Sequence, residues 1–443
     1  MRRVQNTMRW PLALYSALTW AVQPLLRRKL RRRALAEPGY GLHVEERFGH
    51  YMPRDLGRDG AGQWVWVHAV SLGETRAAAI LVAALRAQMP GMRLLLTHGT
   101  ATGRAEGAKL LQAGDLQVWQ PWDARAAVER FVAQFRPAVG VLIETEVWPN
   151  LVAVCRAQGI PLALVNARLN SRSLARALRL SALSMPAYQA LAAVWAQTQA
   201  DAQRLRALAA PVRGVLGNLK YDLLPDGAQL AQGAQWRRRS ARPVVLLASS
   251  REGEEALFIE ALRCLGEQAL QVQWLIVPRH PQRFEAVALA LQAAGLRVSR
   301  RSEWLGAPPQ AQAQPGEECI WLGDSLGEMP LYYALADAGL LGGSFAPLGG
   351  QNLIEAAACG CPMLMGPHTF NFAEAAELAC EAGAARRVPD LNAGLQAAVA
   401  LVRDVPGRSD AVARCLAFAQ AHRGAAQATA QALQELKRSH HPR

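Results

Sequence analysis

Short aliphatic and β-branched runs alternate with alanine-rich stretches along almost the whole chain, and this alternation limits the fold more than any other feature. In the first half, strands are expected at Val65–Ala69, Leu94–Thr97, Val139–Ile143, Leu162–Asn166, Val194–Gln197 and Val212–Leu216. In the second half they fall at Val244–Ala248, Trp274–Pro278, Cys319–Leu322, Ala338–Leu341 and Pro362–Met365. Each gap leaves room for a helix, and strands joined through helices run parallel with right-handed crossovers. The expected class is therefore α/β. With 443 residues, 51% of them hydrophobic, the chain has material for two cores. The stretch Gly217–Pro243 mixes proline, glycine and a basic run without a strand period, and marks the expected boundary between two doubly wound domains facing a central cleft. A helix is expected over Ala411–Leu436 and a frayed polar tail over Ser439–Arg443.

The stretch Gly339–Glu374 carries the strongest local signal. Its apolar strand ends at Gly342-Gly343, and Gly349-Gly350 lets backbone approach a ligand where a Cβ would collide. A helix opening at Gln351-Asn352 turns its free N–H groups and positive dipole end toward that turn, which favours an anion such as phosphate. Glu355, one turn in, can accept from two sugar hydroxyls. An ordinary strand-helix-strand crossover would use the same glycines.

Other strand ends carry polar groups, the usual place for function in an open α/β sheet. Ser71-Leu72-Gly73-Glu74 follows the first strand; it suits a carboxylate delivered to a cleft and equally a capping box. Glu144 and Glu146 leave the strand Val139–Ile143 beside Trp148 and Pro149, apolar neighbours that raise a carboxyl's pKa toward proton transfer, although a loop cap would read alike. Pro278-Arg279-His280-Pro281 places at a loop tip a guanidinium suited to phosphate or carboxylate and an imidazole that either joins it or fixes the loop. Ser249, Ser250 and Arg251 end another strand, and Gly323–Met329 a third. Lys220 is one of four lysines among 49 basic residues, which suits a site wanting a compact ammonium, or is chance.

The net charge of +14 is concentrated at the start, where Arg2, Arg3, Arg9, Arg27, Arg28, Lys29, Arg31, Arg32 and Arg33 precede the first acid, Glu37. Between these clusters lies the uncharged run Trp10–Leu26. Apolar residues flanked by arginine suit an uncleaved N-terminal anchor on an anionic membrane, with the rest of the chain on the cytoplasmic side, better than a nucleic-acid surface. Pro11, Gln23 and Pro24 weaken it as a span. Seven scattered cysteines suit buried thiols, and Cys359 with Cys361 is no zinc pattern. Asp-x-Asp, His-Glu-x-x-His and the phosphate-binding Gly-x-x-x-x-Gly-Lys are all absent, so arginine, lysine and helix N-termini must meet any phosphate charge.

Taken in order, the N-terminal anchor, Trp66–Glu74 (WVHAVSLGE), Ile143–Asn150 (IETEVWPN), Asn166–Ser173 (NARLNSRS), Gly217–Asp222 (GNLKYD), Val277–Phe284 (VPRHPQRF) and Gly342–Pro367 resemble the 3-deoxy-D-manno-octulosonic acid (Kdo) transferases of Gram-negative lipopolysaccharide synthesis. That resemblance covers nearly the whole chain. It implies the GT-B glycosyltransferase architecture of two Rossmann-like domains plus an N-terminal membrane-anchor helix, at the cytoplasmic face of the inner membrane. It implies CMP-Kdo as donor, a lipid A precursor (lipid IVA) as acceptor, contact with anionic lipids, and no cofactor, metal or nucleic acid. The domains would be 1–36 for anchor and basic flank, 37–216 for acceptor, 217–243 for the linker, 244–436 for CMP-Kdo and 437–443 for the tail. By motif, Glu74 resembles the general base, and Glu144 and Lys220 groups that stabilise the transition state. The nucleotide would lie against Pro278, Arg279, Gly327, Glu328, Met329, Asn352, Leu353, Ile354 and Glu355. Ser71, Gly73, Arg104, Arg168, Ser250, His280, Gly349 and Gly350 are further candidate donor or acceptor contacts. Displacement of CMP by one acceptor hydroxyl would invert the anomeric centre. A soluble sugar-nucleotide epimerase of the same fold and a membrane-bound nucleotide-sensing scaffold are the competing classes; the N-terminal segment argues against the first, and Glu74 against the second.

Overall fold

The computed structural model describes residues 10–52, 64–304, 306–308 and 319–440. The chain divides into two compact units, Met1–Asp222 with Arg423–Arg443, and Leu223–His422.

The first unit is built on seven parallel strands: β1 (Trp64–His68), β2 (Arg93–His98), β3 (Leu116–Trp119), β4 (Val139–Ile143), β5 (Leu162–Ala167), β6 (Ala193–Ala196) and β7 (Val212–Val215). Their order is β3-β2-β1-β4-β5-β6-β7. All of β1 is buried, as a central parallel strand covered on both faces must be. Trp64 and Trp66 pack with Phe131 and Phe135 on one face, and Val65 and Val67 with Leu81 and Leu85 on the other. Gly140, opposite Trp66 in β4, is required there, since a Cβ would stand 2.7 Å from the indole. The chain reverses its direction across the sheet between β1 and β4, so the loops after these two strands diverge and leave a crevice at their carboxyl ends.

The second unit repeats the plan with β8 (Val244–Ser250), β9 (Gln273–Pro278), β10 (Arg297–Arg300), β11 (Cys319–Leu322), β12 (Ala338–Leu341), β13 (Met363–Met365) and β14 (Ala385–Arg387). The order is β10-β11-β9-β8-β12-β13-β14, all parallel, with its switch at β8 and β12. β3, β10 and β14, which sequence pattern did not reveal, are all edge strands. An edge strand is incompletely covered, so Arg-Val-Ser-Arg and Ala-Arg-Arg serve there without an apolar run.

Two expected boundaries differ. The segment expected as a linker, 217–243, is divided: Leu219–Asp222 forms a 3₁₀ turn of the first unit, and Gly227–Arg239 a helix of the second with Trp236 buried. The helix expected over Ala411–Leu436 breaks at Gly424, whose φ of +109° suits glycine alone, into Val405–Ala421 and Ala425–His440. The last helix leaves the second unit, because Ala426, Ala430 and Leu433 pack with Ala77, Leu81 and Leu85 of the helix Leu72–Gln88. Asp222 accepts from the N–H groups of Gly424 and Ala426 and caps it.

The expected anchor also differs. Pro24, which lacks an N–H, opens a new helix, so the apolar run is split at Val22 into Trp10–Ala21 and Gln23–Ala36. Among the described residues, no helix is long and apolar enough to cross a membrane. Trp10–Ala21 is tied to the first unit by Ser16, whose hydroxyl donates to Asn150 Oδ1 at 2.7 Å. Arg2, Arg3 and Arg9 lie outside the described residues.

Candidate active site

Glu74 and Glu144 follow the two strands that flank the switch of the first sheet. Ser71 caps the helix Leu72–Gln88 by accepting from Glu74 N–H, while the Glu74 carboxylate accepts from Val70 N–H at 2.8 Å and from the Ser71 hydroxyl at 3.0 Å. The cap is real, yet it does not exhaust the residue. Burial pushes the Glu74 carboxyl up to about 7, the Val70 bond opposing it, and the neighbouring charges of Glu144 and Glu146 add to the rise. Glu146 is raised as well, chiefly by burial, although Trp148 Nε1 donates to it at 2.8 Å. Gly73 is exposed beside them.

Glu144 is 7% exposed with φ +63°, a left-handed backbone that is strained in a residue with a side chain. Arg168 Nε stands 3.2 Å and Lys220 Nζ 3.5 Å from its carboxylate, so a buried anion is flanked by two cations. Glu74, Glu144, Arg168 and Lys220 thus belong to one crevice. Arg104 is committed elsewhere: it pairs with Glu46 at 3.0 Å and lies over the Trp119 ring.

In the second unit, Gly342 passes so close to β8 that a Cβ would stand 2.3 Å from Ser249 O. The loop beyond it turns through Gly349 and Gly350, with φ of +90° and +75°, and Gly350 N–H donates to Gly343 O at 2.7 Å. Asn352 caps the helix Leu353–Ala358 through Ile354 N–H; Leu353 and Ile354 bury their side chains, and Glu355 lies in its first turn. Arg279 joins this loop through Gln351 Oε1 at 3.2 Å and the end of β8 through Ser250 O. His280 has its pKa lowered, by burial first and then by Arg251 and Arg279, so this edge is cationic. Ser250 is a support within the unit, fully buried and donating to Glu255, which Arg283 holds bidentately at 2.8 Å. Pro278 ends β9, Gly327 turns at φ +80°, Glu328 pairs with Arg301 at 2.8 Å, and Met329 opens the helix Met329–Leu335.

Two residues of these sites escaped the sequence reading. Glu254 is fully buried, and its carboxylate accepts from the N–H groups of Arg251 (2.9 Å), Gly343 (2.7 Å), Phe345 (3.1 Å) and Ala346 (3.4 Å). In sequence it reads only as an acid in a first helical turn. Asn166 is the other; its left-handed φ of +50° leaves no trace in the strand pattern. A cavity of about 350 Å³ lined by Ile259, Leu262, Leu270 and Leu296 holds none of the expected residues.

Two parallel α/β units of this kind, each with a switch in its strand order, are the parts of the GT-B fold. A solved glycosyltransferase from Rickettsia africae has this fold, with a TM-score of 0.55 over 85% of this chain and 98% of its own; at 11% identity the likeness is one of fold alone. The chain belongs to the 3-deoxy-D-manno-octulosonic acid transferase family. The family model described as 3-deoxy-D-manno-octulosonic-acid transferase (kdotransferase) matches residues 42–223. The 3-deoxy-D-manno-octulosonic acid transferase of Bordetella pertussis is 48% identical over 401 residues, covering 87% of this chain and 91% of the relative. That of Haemophilus influenzae is 30% identical, covering 81% and 83%. Family membership sets the epimerase and scaffold classes aside.

Proposed function

We propose that this glycosyltransferase moves Kdo from CMP-Kdo to a lipid A precursor, lipid IVA, by one metal-independent inverting displacement. The acceptor hydroxyl attacks the anomeric carbon, the bond to CMP breaks with its electron pair leaving on the phosphate, and Glu74 takes the hydroxyl proton. The observation that carries this reading is the Glu74 carboxyl held near pH 7 beside the Glu144–Lys220 pair, since a base poised near neutrality both accepts and releases its proton. Lys220, a short way from Glu144, supplies a cation where negative charge develops. For the donor, the second unit offers Arg279, the glycine turn and the first turn of Leu353–Ala358, and these can meet phosphate charge without a metal. The test is to incubate the protein with CMP-Kdo, tetraacylated lipid A precursor, detergent and EDTA and to follow lipid mass. Gain of one or more Kdo residues is expected; an unchanged lipid would reject the acceptor, and transfer only on adding a divalent cation would reject metal independence.

The N-terminal helices support residence at the membrane surface, on the cytoplasmic side where the nucleotide sugar is. Trp10, Leu14 and Leu18, spaced four apart and so on one face, are 63%, 63% and 59% exposed, and Arg28, Lys29, Arg31 and Arg32 follow as exposed cations. With Ser16 bound to the folded unit, this helix suits lying in the interface. Burying each of the three apolar groups is worth about 1–2 kcal/mol, so replacing Trp10, Leu14 and Leu18 by serine should weaken binding to anionic vesicles by at least about tenfold. Unchanged cosedimentation would remove this surface from the proposal.

A further inference from the structure

Asn166 lies at the end of β5 with 3% of its surface exposed, and no role in the reaction follows from its motif. Its Oδ1 accepts from Leu219 N–H at 3.1 Å, and its main-chain oxygen accepts from Gln197 Nε2 at 2.9 Å. Gln197 Oε1 in turn accepts from Asn218 Nδ2 at 3.2 Å, and Asn218 Oδ1 from Lys220 N–H at 3.0 Å. The turn that carries Lys220 is therefore fastened to the ends of β5 and β6 through Leu219 and Asn218, the two residues before the lysine. The neighbouring residue Val165 accepts from Glu144 N–H at 3.1 Å, so one strand end fixes both members of the Glu144–Lys220 pair.

This arrangement has a cost. The Asn166 backbone is left-handed, the β5–β6 register shifts between Leu164 and Ala167, and Asn166 Nδ2 is buried with no partner. An orphaned buried donor is destabilising, so stability alone does not favour an amide here. Asparagine tolerates the left-handed region, and its Oδ1 gives Leu219 N–H an acceptor that an apolar residue cannot.

We infer that Asn166 is a positioning residue, which sets the Lys220 ammonium against Glu144 through the Leu219 main chain. The inference rests on the proposed roles of Glu144 and Lys220. Asn166→Gly keeps the left-handed backbone and removes the acceptor. It should lower kcat on the order of 10–100-fold while KM for CMP-Kdo stays within about threefold. Because the effect runs through the lysine, the double variant Asn166→Gly/Lys220→Ala should have the kcat of Lys220→Ala alone. Asn166→Asp, which retains an acceptor and tolerates the same backbone, should stay within about fivefold of wild type. Wild-type kcat in Asn166→Gly, a loss that multiplies with that of Lys220→Ala, or an equal loss in Asn166→Asp overturns the inference. Wild-type kcat in Lys220→Ala instead overturns the reading beneath it.

Discussion

Replacing Glu74 by glutamine lowers Kdo transfer about 10²–10⁴-fold and leaves CMP binding intact, the expected result when the lost group is the proton acceptor and the nucleotide is held by other residues. Glutamine fills the same volume and keeps an oxygen for Val70 N–H, now received by the carboxylate at 2.8 Å, so the helix start survives. The pH profile separates this from a structural defect. A base must be ionised to act, so wild-type kcat/KM should rise with pH through an apparent pKa near 7, where burial and the charges of Glu144 and Glu146 hold Glu74. That limb should vanish in the variant. Stability moves the opposite way. The folded protein keeps a proton on Glu74 up to about pH 7, whereas an unfolded chain releases it near the ordinary value of 4.5. Stability therefore falls as pH rises through that window. Glu74→Gln should then melt at a higher temperature than wild type at pH 8, with the difference shrinking toward pH 5. A variant that loses activity and melts lower at pH 8 would make Glu74 a cap and nothing more.

The same residue shows what sequence can and cannot give. Ser71-x-x-Glu74 announced the Ser71 cap, since that geometry depends on a few consecutive residues; the elevated pKa depends on burial first, and then on the charges of Glu144 and Glu146, about seventy positions away in the chain. The central strands were legible because both faces are covered and the apolar run is continuous, as in Trp64–His68 and Val139–Ile143. Of the edge strands, β7 was still legible at Val212–Val215, but β3, β10 and β14 were not, having lost that requirement. The last helix was recognised as a helix but placed with the second domain, because its alanine face says that it packs and not on which partner. The apolar N-terminus was read as one run, and the single residue Pro24 divides it. Asn166 and Glu254 were illegible for one reason: their hydrogen bonds reach 53 and 89–92 positions along the chain, and no local pattern records such a partner.

Glu254→Ala should be the most damaging single change in the second unit. Its carboxylate collects four backbone N–H groups, three of them from Gly343, Phe345 and Ala346 in the loop after β12. Alanine leaves those donors facing a void too enclosed to be served well by water. Removing one side of a buried charged network costs about 3–5 kcal/mol, enough to lower the unfolding midpoint of this unit clearly. Glutamine should do little better, because its NH₂ would turn a donor toward N–H donors. The consequence extends past stability, since Gly343 O accepts from Gly350 N–H and the loop runs on into Gly349, Gly350 and the Asn352 cap. A slack Gly343–Ala346 segment releases the turn proposed to meet the CMP phosphate, so Glu254→Ala should weaken CMP binding at least about tenfold in calorimetry at a temperature where the protein is still folded. Since Glu254 belongs to the second unit and Glu74, Glu144 and Lys220 to the first, kcat at saturating CMP-Kdo should change far less than KM. Wild-type CMP affinity in a destabilised variant would show that the glycine turn holds its shape without this carboxylate, and a wild-type midpoint would show that the four hydrogen bonds contribute nothing net.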